Sequence, residues 1–152
     1  SAFFQQRLFA HRFVCLLRAD HPIRGQRLTL DQFVTLGHAV VRAEGRSQEI
    51  FEKLLDRKKI ARRIVLLTPH FMSIPAVIGK SDLVVTLPHV IGLFFAQTGA
   101  NIRIVEPPLA IPRIELRQHW HRNAHHEPRH KWLRRLVADL FNDGNDEWPY
   151  PF

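Results

Sequence analysis

Short apolar runs, each bounded by turn residues, constrain the fold of this chain more than any other feature of its sequence. Most of them lack polar alternation, which is typical of strands buried on both faces of a parallel sheet. Between residues 38 and 105 the runs alternate with short helical patterns, which predicts an α/β fold with right-handed parallel crossovers. Strands are predicted at residues 11–18, 38–42, 62–67, 82–87, 101–105 and 113–121.

Helix starts and stops are placed by capping residues. Thr29, with Gln32 three residues later, forms a capping box, and Gly37 is expected to end that helix. Further helices are predicted to begin at Ser47, near Ser73, at Pro88 and at Pro128. The last of them carries an apolar stripe of Trp132, Leu133, Leu136, Val137, Leu140 and Phe141. We expect Trp132, Leu136 and Leu140 of this stripe to be buried by packing on the sheet.

Length, charge and cysteine content bound the class of protein. The 152 residues fit one domain or two small lobes. A formal net charge of +8 favours an anionic ligand or neighbour, whether nucleic acid, a membrane surface or an acidic small molecule. No signal-peptide pattern is present, and no apolar run approaches the ~20 residues of a membrane helix. Because the single cysteine, Cys15, cannot form an internal disulfide, a reducing, cytoplasmic location is expected.

Sequence patterns for catalysis are missing. There is no phosphate-binding loop, no GxSxG elbow and no convergent acid–base set, so neither enzymatic activity nor a cofactor is predicted. Cys15 lies inside an apolar run, where a buried structural thiol is favoured over a nucleophile. The basic run at residues 57–63 is more typical of a solvated loop than of a nucleic-acid patch.

A group of histidines is the strongest candidate for a metal site. Zinc sites need three or four converging ligands, and neither a nearby cysteine nor an HExxH pattern supports one here. A solvated basic surface is the favoured interpretation, and no metal is predicted. The group comprises His119, His121, His125, His126 and His130.

The segment Thr68-Pro69-His70-Phe71 is the most informative candidate for a binding site. It follows the carboxyl end of a predicted parallel strand and precedes a helix, and open α/β sheets bind ligands at such ends. Unpaired N–H groups at a helix start attract anions, while His70 supplies a donor and Phe71 an aromatic wall. His38, at the start of another strand, is expected nearby as a second polar contact. A purely structural role is at least as common for any one of these residues.

Five segments in a fixed order resemble the effector-binding domain of LysR-type transcriptional regulators. They are residues 12–22 (RFVCLLRADHP), 28–33 (LTLDQF), 65–71 (VLLTPHF), 81–88 (SDLVVTLP) and 120–134 (WH…PRHKWLR). The subgroup that they are most similar to contains nodulation regulators and regulators of aromatic or nitroaromatic degradation. The likeness runs from about residue 3 to 141, and its specificity lies in the ordered set rather than in any single segment.

The resemblance implies a two-lobed fold like that of type 2 periplasmic binding proteins, with a small-molecule effector in the cleft between the lobes. Residues 1–144 would form a partial effector-binding domain with a complete second lobe at about 17–108. The first lobe would be partial, with remnants at 1–16 and 109–144, and residues 145–152 would be a tail. Residues 14–18 and 109–113 would connect the lobes. The residues singled out above from their position in the predicted sheet, His38, Thr68, Pro69, His70 and Phe71, are expected to line this cleft and bind the effector.

The same resemblance implies sensing for transcription, without catalysis. The family's N-terminal winged helix-turn-helix is not found in the sequence, so DNA would be bound only through that missing domain. A homo-oligomer is expected for the full-length protein, and no membrane partner is expected. The expected effector is an aromatic carboxylate, since regulators of the subgroup commonly sense aromatic acids and the chain is positively charged.

Two other classes of protein stay open at this point. A stand-alone solute-binding or enzymatic α/β domain would share the fold. The solute-binding protein would carry an export signal, and the enzyme a convergent acid–base set. A basic nucleic-acid module would reveal itself by salt-dependent binding to DNA.

Overall fold

The computed structural model describes residues 2–42 and 46–141 of the chain. The chain forms two compact units. The central unit is Arg12–Pro112, and the terminal unit combines Ser1–His11 with Arg113–Phe152. These boundaries lie a few residues outside the expected limits of 17 and 108. Residues 14–18, which the resemblance assigns to a connection between lobes, lie in a strand of the central unit.

Strands and helices alternate through the central unit, as the sequence pattern predicts. The strands are β1 (Phe3–His11), β2 (Phe13–Arg18), β3 (Gly37–Val41), β4 (Arg63–Thr68), β5 (Val84–Pro88), β6 (Ile102–Val105) and β7 (Ile114–His121). The helices are α1 (Leu30–Thr35), α2 (Arg46–Lys58), α3 (Ile74–Ile78), α4 (His89–Gln97) and α5 (Pro128–Phe141), with 3-10 helices at Phe71–Ser73 and Arg122–Ala124. Within the described part of the chain, no helix combines the length and apolarity needed to cross a membrane.

The central unit contains a mixed five-stranded sheet in the order β4-β3-β5-β2-β6. β3 is parallel to both of its neighbours, β4 and β5, as the helical crossovers predict. β2 is antiparallel to β5 and β6, so the sheet is not wholly parallel. No single crossover helix connects β2 to β5 or to β6. The alternation of strands and helices in the sequence therefore does not predict whether β2 is parallel or antiparallel to them.

Helices cover both faces of this sheet. Alternate residues of a strand point to opposite faces, so each inner strand contributes to two cores. On one face, Phe51 of α2 stacks on Phe13 with ring centroids 5.8 Å apart and meets Phe33 of α1 edge-on. On the other face, α3 and α4 enclose a cluster of Val14, Leu16, Ala39, Val41, Ile74, Ile78, Val85, Leu87, Phe95 and Ile102.

The two edges of the sheet differ. The chain before α1 lies along β6, and there the N–H of Glu106 donates to the carbonyl of Gln26 at 2.7 Å. At the opposite edge, Ile64, Val65 and Leu67 of β4 are 46%, 53% and 51% exposed. The prediction that β4 is buried on both faces is therefore wrong. An edge strand has a neighbouring strand on one side only, and its apolar composition does not reveal this.

The first helix begins as its capping residues predict. The Thr29 hydroxyl accepts the N–H of Gln32 at 3.1 Å, and the Gln32 side-chain oxygen accepts the N–H of Thr29 at 2.9 Å. The helix ends at Thr35, and Gly37 is the first residue of β3 rather than a helix stop. A larger residue would be crowded there, because a Cβ would lie 2.7 Å from the Leu83 side chain and 2.8 Å from that of Val65, and these side chains would have to shift.

The terminal unit pairs β1 with β7 in an antiparallel ladder, and α5 packs against β1. The expectation that Trp132, Leu136 and Leu140 pack on a sheet is wrong, since these side chains are 66%, 39% and 43% exposed. The apolar stripe is two residues wide, and the side of the stripe that carries Val137 and Phe141 faces inward, while the side that carries Trp132, Leu136 and Leu140 faces outward. The half-buried residues on the inward side are Arg134, Val137, Ala138 and Phe141. The tail predicted at 145–152 lies outside the described residues.

Candidate functional site

The loop that follows β4, here called the 68–73 loop, is held by its own side chains. The Thr68 hydroxyl accepts the N–H of His70 at 3.2 Å and lies 3.1 Å from the Ser73 hydroxyl. Ser73 donates in turn to the carbonyl of His70 at 2.9 Å. Two short hydroxyl side chains thus fix the backbone around His70 at the carboxyl end of a parallel strand.

Side chains of the 68–73 loop differ in their exposure. Pro69 and His70 are exposed, whereas Thr68 and Phe71 are partly buried. The Phe71 ring packs against the cluster beneath α3 and α4, which fixes its position. The predicted helix start near Ser73 is confirmed, since α3 begins at Ile74 with Ser73 as its N-cap residue. A 3-10 turn at Phe71–Ser73 precedes it, and no side chain caps that turn. An exposed imidazole, an anchored aromatic ring and uncapped backbone N–H groups therefore occur together.

His38 does not join this group. It pairs with Ile64 and Val84, which lie near the amino ends of β4 and β5, whereas Thr68 pairs with Val41 at the carboxyl end of β3. Its ring is completely buried, and its Nε2 lies 2.6 Å from the carbonyl oxygen of Phe33. Burial lowers the pKa of His38 to about 4. The structure therefore does not bring His38 next to the 68–73 loop, because the start of a parallel strand and its carboxyl end lie at opposite ends of the sheet.

Polar residues that the sequence did not single out lie at the same end of the strands as the 68–73 loop, and two of them, Thr86 and Gln48, are buried. Thr86 precedes the end of β5, and its hydroxyl lies 3.3 Å from the Cys15 sulfur. Gln48, near the start of α2, donates to the Thr86 carbonyl at 3.5 Å. Arg12 and Glu106 form an ion pair at 2.5 Å across β2 and β6. The antiparallel placement of β2 assembles this set, and no sequence pattern reveals that placement.

The Cys15 thiol is unsuited to nucleophilic chemistry. It is completely buried, and burial raises its pKa to about 12. A thiol with such a pKa is protonated at neutral pH, and the thiolate is the nucleophilic form. The structural role favoured by the sequence agrees with this placement.

The histidine group of the terminal unit is organised by aromatic contacts. The Trp120 indole N–H donates to Nδ1 of His125 at 3.1 Å, and the His125 ring lies 4.3 Å from the Phe4 ring. Partial burial and the nearby His126 and Arg134 lower the pKa of His125. Over residues 2–42 and 46–141, no group of three or more His, Cys, Asp or Glu side chains is placed to hold a metal ion.

An open concavity of about 540 Å³ lies on α5, lined by Pro128, Arg129, Trp132 and Leu133. It is formed by the outward apolar side of the helix and contains no buried polar group that would orient a ligand. Binding sites combine apolar walls with a few fixed polar groups, so the 68–73 loop is the better candidate.

Comparison with known proteins identifies the family. The profile of the LysR substrate binding domain matches residues 1–142. The transcriptional activator NagR of Ralstonia sp is 34% identical over 143 residues, which are 94% of this chain and 47% of NagR. This chain thus spans about half the length of the curated relatives that it matches.

Solved structures share the fold at lower identity. The crystal structure of PA0477 from Pseudomonas aeruginosa, described as a probable transcriptional regulator, has a TM-score of 0.77 at 24% identity, over 94% of this chain and 47% of that one. The effector binding domain of QuiR, in complex with shikimate, has a TM-score of 0.72 at 10% identity, over 92% of this chain and 66% of that one. The fold is that of type 2 periplasmic-binding-protein-like effector domains, and the chain belongs to the LysR substrate-binding domain family.

Proposed function

We propose that this chain senses a small-molecule effector and thereby controls transcription. Membership in the LysR substrate-binding domain family carries the proposal. NagR, which aligns with 94% of this chain at 34% identity, is named as a transcriptional activator. The QuiR domain, which shares the fold, holds shikimate. The proposal includes no catalytic step, and the protonated, buried thiol of Cys15 agrees with that.

The proposed effector contact is the 68–73 loop. His70 is exposed and offers an imidazole N–H to an anion. The uncapped N–H groups at the start of the 3-10 helix offer further donors to the same group. The anchored ring of Phe71 offers an apolar wall beside them. A carboxylate joined to an aromatic ring matches these donors and this wall, so we propose an aromatic carboxylate as the effector. Pro69 completes the exposed part of the loop.

Titration calorimetry with a panel of benzoates and salicylates tests this contact. A charge-assisted hydrogen bond contributes about 1.5–3 kcal/mol, so His70→Ala is expected to weaken binding roughly ten- to hundredfold. Phe71→Leu keeps an apolar side chain on the cluster but removes the ring, and it should also weaken binding. Met72→Ala is the matched control, because this neighbouring side chain is 71% exposed and has no part in the proposed contact.

Two results would contradict the proposal in different ways. If His70→Ala and Phe71→Leu bind the panel as the parent does, the effector contact lies elsewhere in the chain. If no member of the panel binds the parent, an aromatic carboxylate is the wrong class of effector.

We further propose that DNA is contacted by a separate domain of the complete regulator, and that the regulator is a cytoplasmic homo-oligomer. NagR carries the description HTH-type, and this chain matches only 47% of it. The matched part is the substrate-binding domain.

A further inference from the structure

We propose that the hydrogen bond between Trp120 and His125 is an acid-sensitive latch, which holds the turn at residues 122–126 against β7 at neutral pH and releases it when His125 binds a proton. The latch is defined as these two side chains together with Arg134 of α5. All three lie in the terminal unit, so the latch would make that unit respond to acidity independently of any effector at the 68–73 loop.

The hydrogen bond at the centre of the latch requires a neutral imidazole. The indole Nε1–H of Trp120 lies 3.1 Å from Nδ1 of His125. Because an indole N–H can only donate, Nδ1 must accept, and the ring proton of the neutral imidazole must lie on Nε2. A proton added to Nδ1 would turn the acceptor into a second donor that faces the indole N–H. The bond therefore exists in one protonation state only.

The groups that surround the imidazole of His125 are basic or aromatic. His126, on the same turn, meets this ring edge-on with the ring centroids 4.7 Å apart. On β1, the ring of Phe4 lies 4.3 Å from it, and α5 contributes the charges of Arg134 and Lys131. Desolvation and these three basic groups lower the pKa of His125 below its ordinary value of 6.5.

Two neighbouring groups could instead favour a proton on His125. The face of the Phe4 ring would attract an imidazolium, as aromatic rings attract cations in general. The carboxylate of Glu127, two residues further along the chain, would do the same, but it lies 3.2 Å from Nε2 of His130. The pKa of His125 is lowered nevertheless, so desolvation and the basic neighbours outweigh these attractions.

Arg134 couples the latch to α5 and to β7. Its guanidinium lies 4.5 Å from the centre of the Trp120 ring and donates to the carbonyl oxygens of Ala124 and His125 at 3.1 and 2.9 Å. Gln118 of β7 donates to the Arg134 carbonyl at 3.1 Å. A charge on His125 would repel the guanidinium that ties the turn to α5. Protonation therefore breaks the bond to Trp120 and weakens the contacts of Arg134 at the same time.

The direction of the pH response follows from the lowered pKa. Above about pH 6.5 the imidazole is neutral in the latched and in the released turn, so the latch is closed. As the pH falls further, a released His125 gains a proton that the latched form does not bind, and opening becomes more favourable. The proton is thus a ligand of the released state, and acidification shifts the population towards it.

NMR spectroscopy of the isotope-labelled whole chain tests the latch, because each indole N–H and each imidazole gives its own signal. We expect the indole signal of Trp120 to shift with pH at the same midpoint as the titration of His125. Trp120→Phe removes the donor that selects the neutral ring, so it should raise the pKa of His125 towards 6.5. His125→Asn keeps an acceptor near the position of Nδ1 but cannot titrate, so the indole signal should then stay constant.

Hydrogen exchange of the Trp120 indole N–H measures the opening itself. The exchange rate in the parent is divided by the rate in His125→Asn at the same pH. This ratio should be constant at neutral pH and should rise by up to about tenfold for each pH unit below the pKa of His125. His119→Asn is the matched control, because this exposed histidine lies on the same strand as Trp120. It should behave as the parent does in both measurements.

Three results would overturn the proposal. An indole signal of Trp120 that stays constant while His125 titrates means that the hydrogen bond does not depend on the proton. A pKa of His125 that is the same in the parent and in Trp120→Phe means that the indole does not select the neutral imidazole. Equal exchange rates in the parent and in His125→Asn at every pH mean that the turn stays closed after protonation.

Discussion

His38 holds a neutral imidazole in the core of the central unit. Its Nε2 donates to the carbonyl of Phe33, and its Nδ1 is buried without a hydrogen-bond partner among the described residues. Burial is the main cause of a pKa lowered to about 4, with the cations Arg62 and Arg63 adding to it. An unfolded chain restores the ordinary value near 6.5. The proton therefore binds the unfolded chain more tightly than the folded one.

We expect this residue to make stability depend on pH. The folded-state pKa is depressed, so the stabilisation is intact above about pH 6.5 and is lost as the pH falls towards about 4. The shift corresponds to roughly 3 kcal/mol in the free energy of unfolding. His38→Gln retains a donor for the Phe33 carbonyl but cannot titrate, so it should lack this component. Urea unfolding of both proteins across this pH range measures the difference, and equal losses in both would exclude His38 as the cause.

At the scale of elements, α5 turns a different side inward from the one that its pattern indicated. Leu136 is more than a third exposed, so Leu136→Ala should lower the free energy of unfolding by only about 1 kcal/mol. Leu8→Ala, in β1 of the same unit, should cost about 2–5 kcal/mol, because Leu8 is 8% exposed and its removal leaves a cavity. Unfolding followed by tryptophan fluorescence compares the two. A larger loss for Leu136→Ala would show that its side chain is enclosed.

Patterns of residues close in sequence predict the start of α1 correctly, but they do not predict the exposure of β4 or the orientation of α5. The capping box at Thr29 and Gln32 was confirmed, because both of its hydrogen bonds join residues three apart. The exposure of β4 could not be predicted, because an edge strand and an inner strand have the same apolar composition. The inward side of α5 could not be predicted either, because a stripe two residues wide fits two orientations.

In the candidate site too, features set by residues close in sequence could be predicted, and features that depend on strand order could not. The position of the 68–73 loop after a parallel strand was confirmed, since strand and loop are consecutive in sequence. His38 lies away from this loop although its strand is located correctly, because it begins the strand and the loop follows the carboxyl end of the neighbouring one. Thr86 and Gln48 were missed, because their meeting depends on the order β3-β5-β2. Strand order is set by packing of the whole sheet, and no local pattern encodes it.

At the scale of the molecule, the two units differ in the size of their cores. Among the described residues of the terminal unit, the buried apolar side chains are Leu8 and Ala10, whereas the central unit buries the rest of the core. All three tryptophans, Trp120, Trp132 and Trp148, lie outside residues 12–112. Tryptophan fluorescence therefore reports on the terminal unit.

We expect the fluorescence transition in urea to come before the far-UV circular dichroism transition. A small core gives a low free energy of local unfolding, so the terminal unit should open first and the chain should depart from two-state behaviour. Phe94→Trp places a reporter in α4 of the central unit and should add a later fluorescence transition. Coincident transitions for both probes would show one cooperative unit instead.

The position of β2 inside the sheet has a consequence for synthesis. Cys15 of β2 pairs with Thr86 of β5, 71 residues later in the chain. At roughly 5–20 residues per second, a ribosome needs about 4–14 seconds to deliver that partner. During this delay the apolar run at residues 13–17 has no strand to pair with, although it ends as one of the most buried segments of the protein. The first apolar segment of the central unit to leave the ribosome is thus the one that waits longest for its partner strands, and exposed apolar segments of this kind are the ones that aggregate during synthesis.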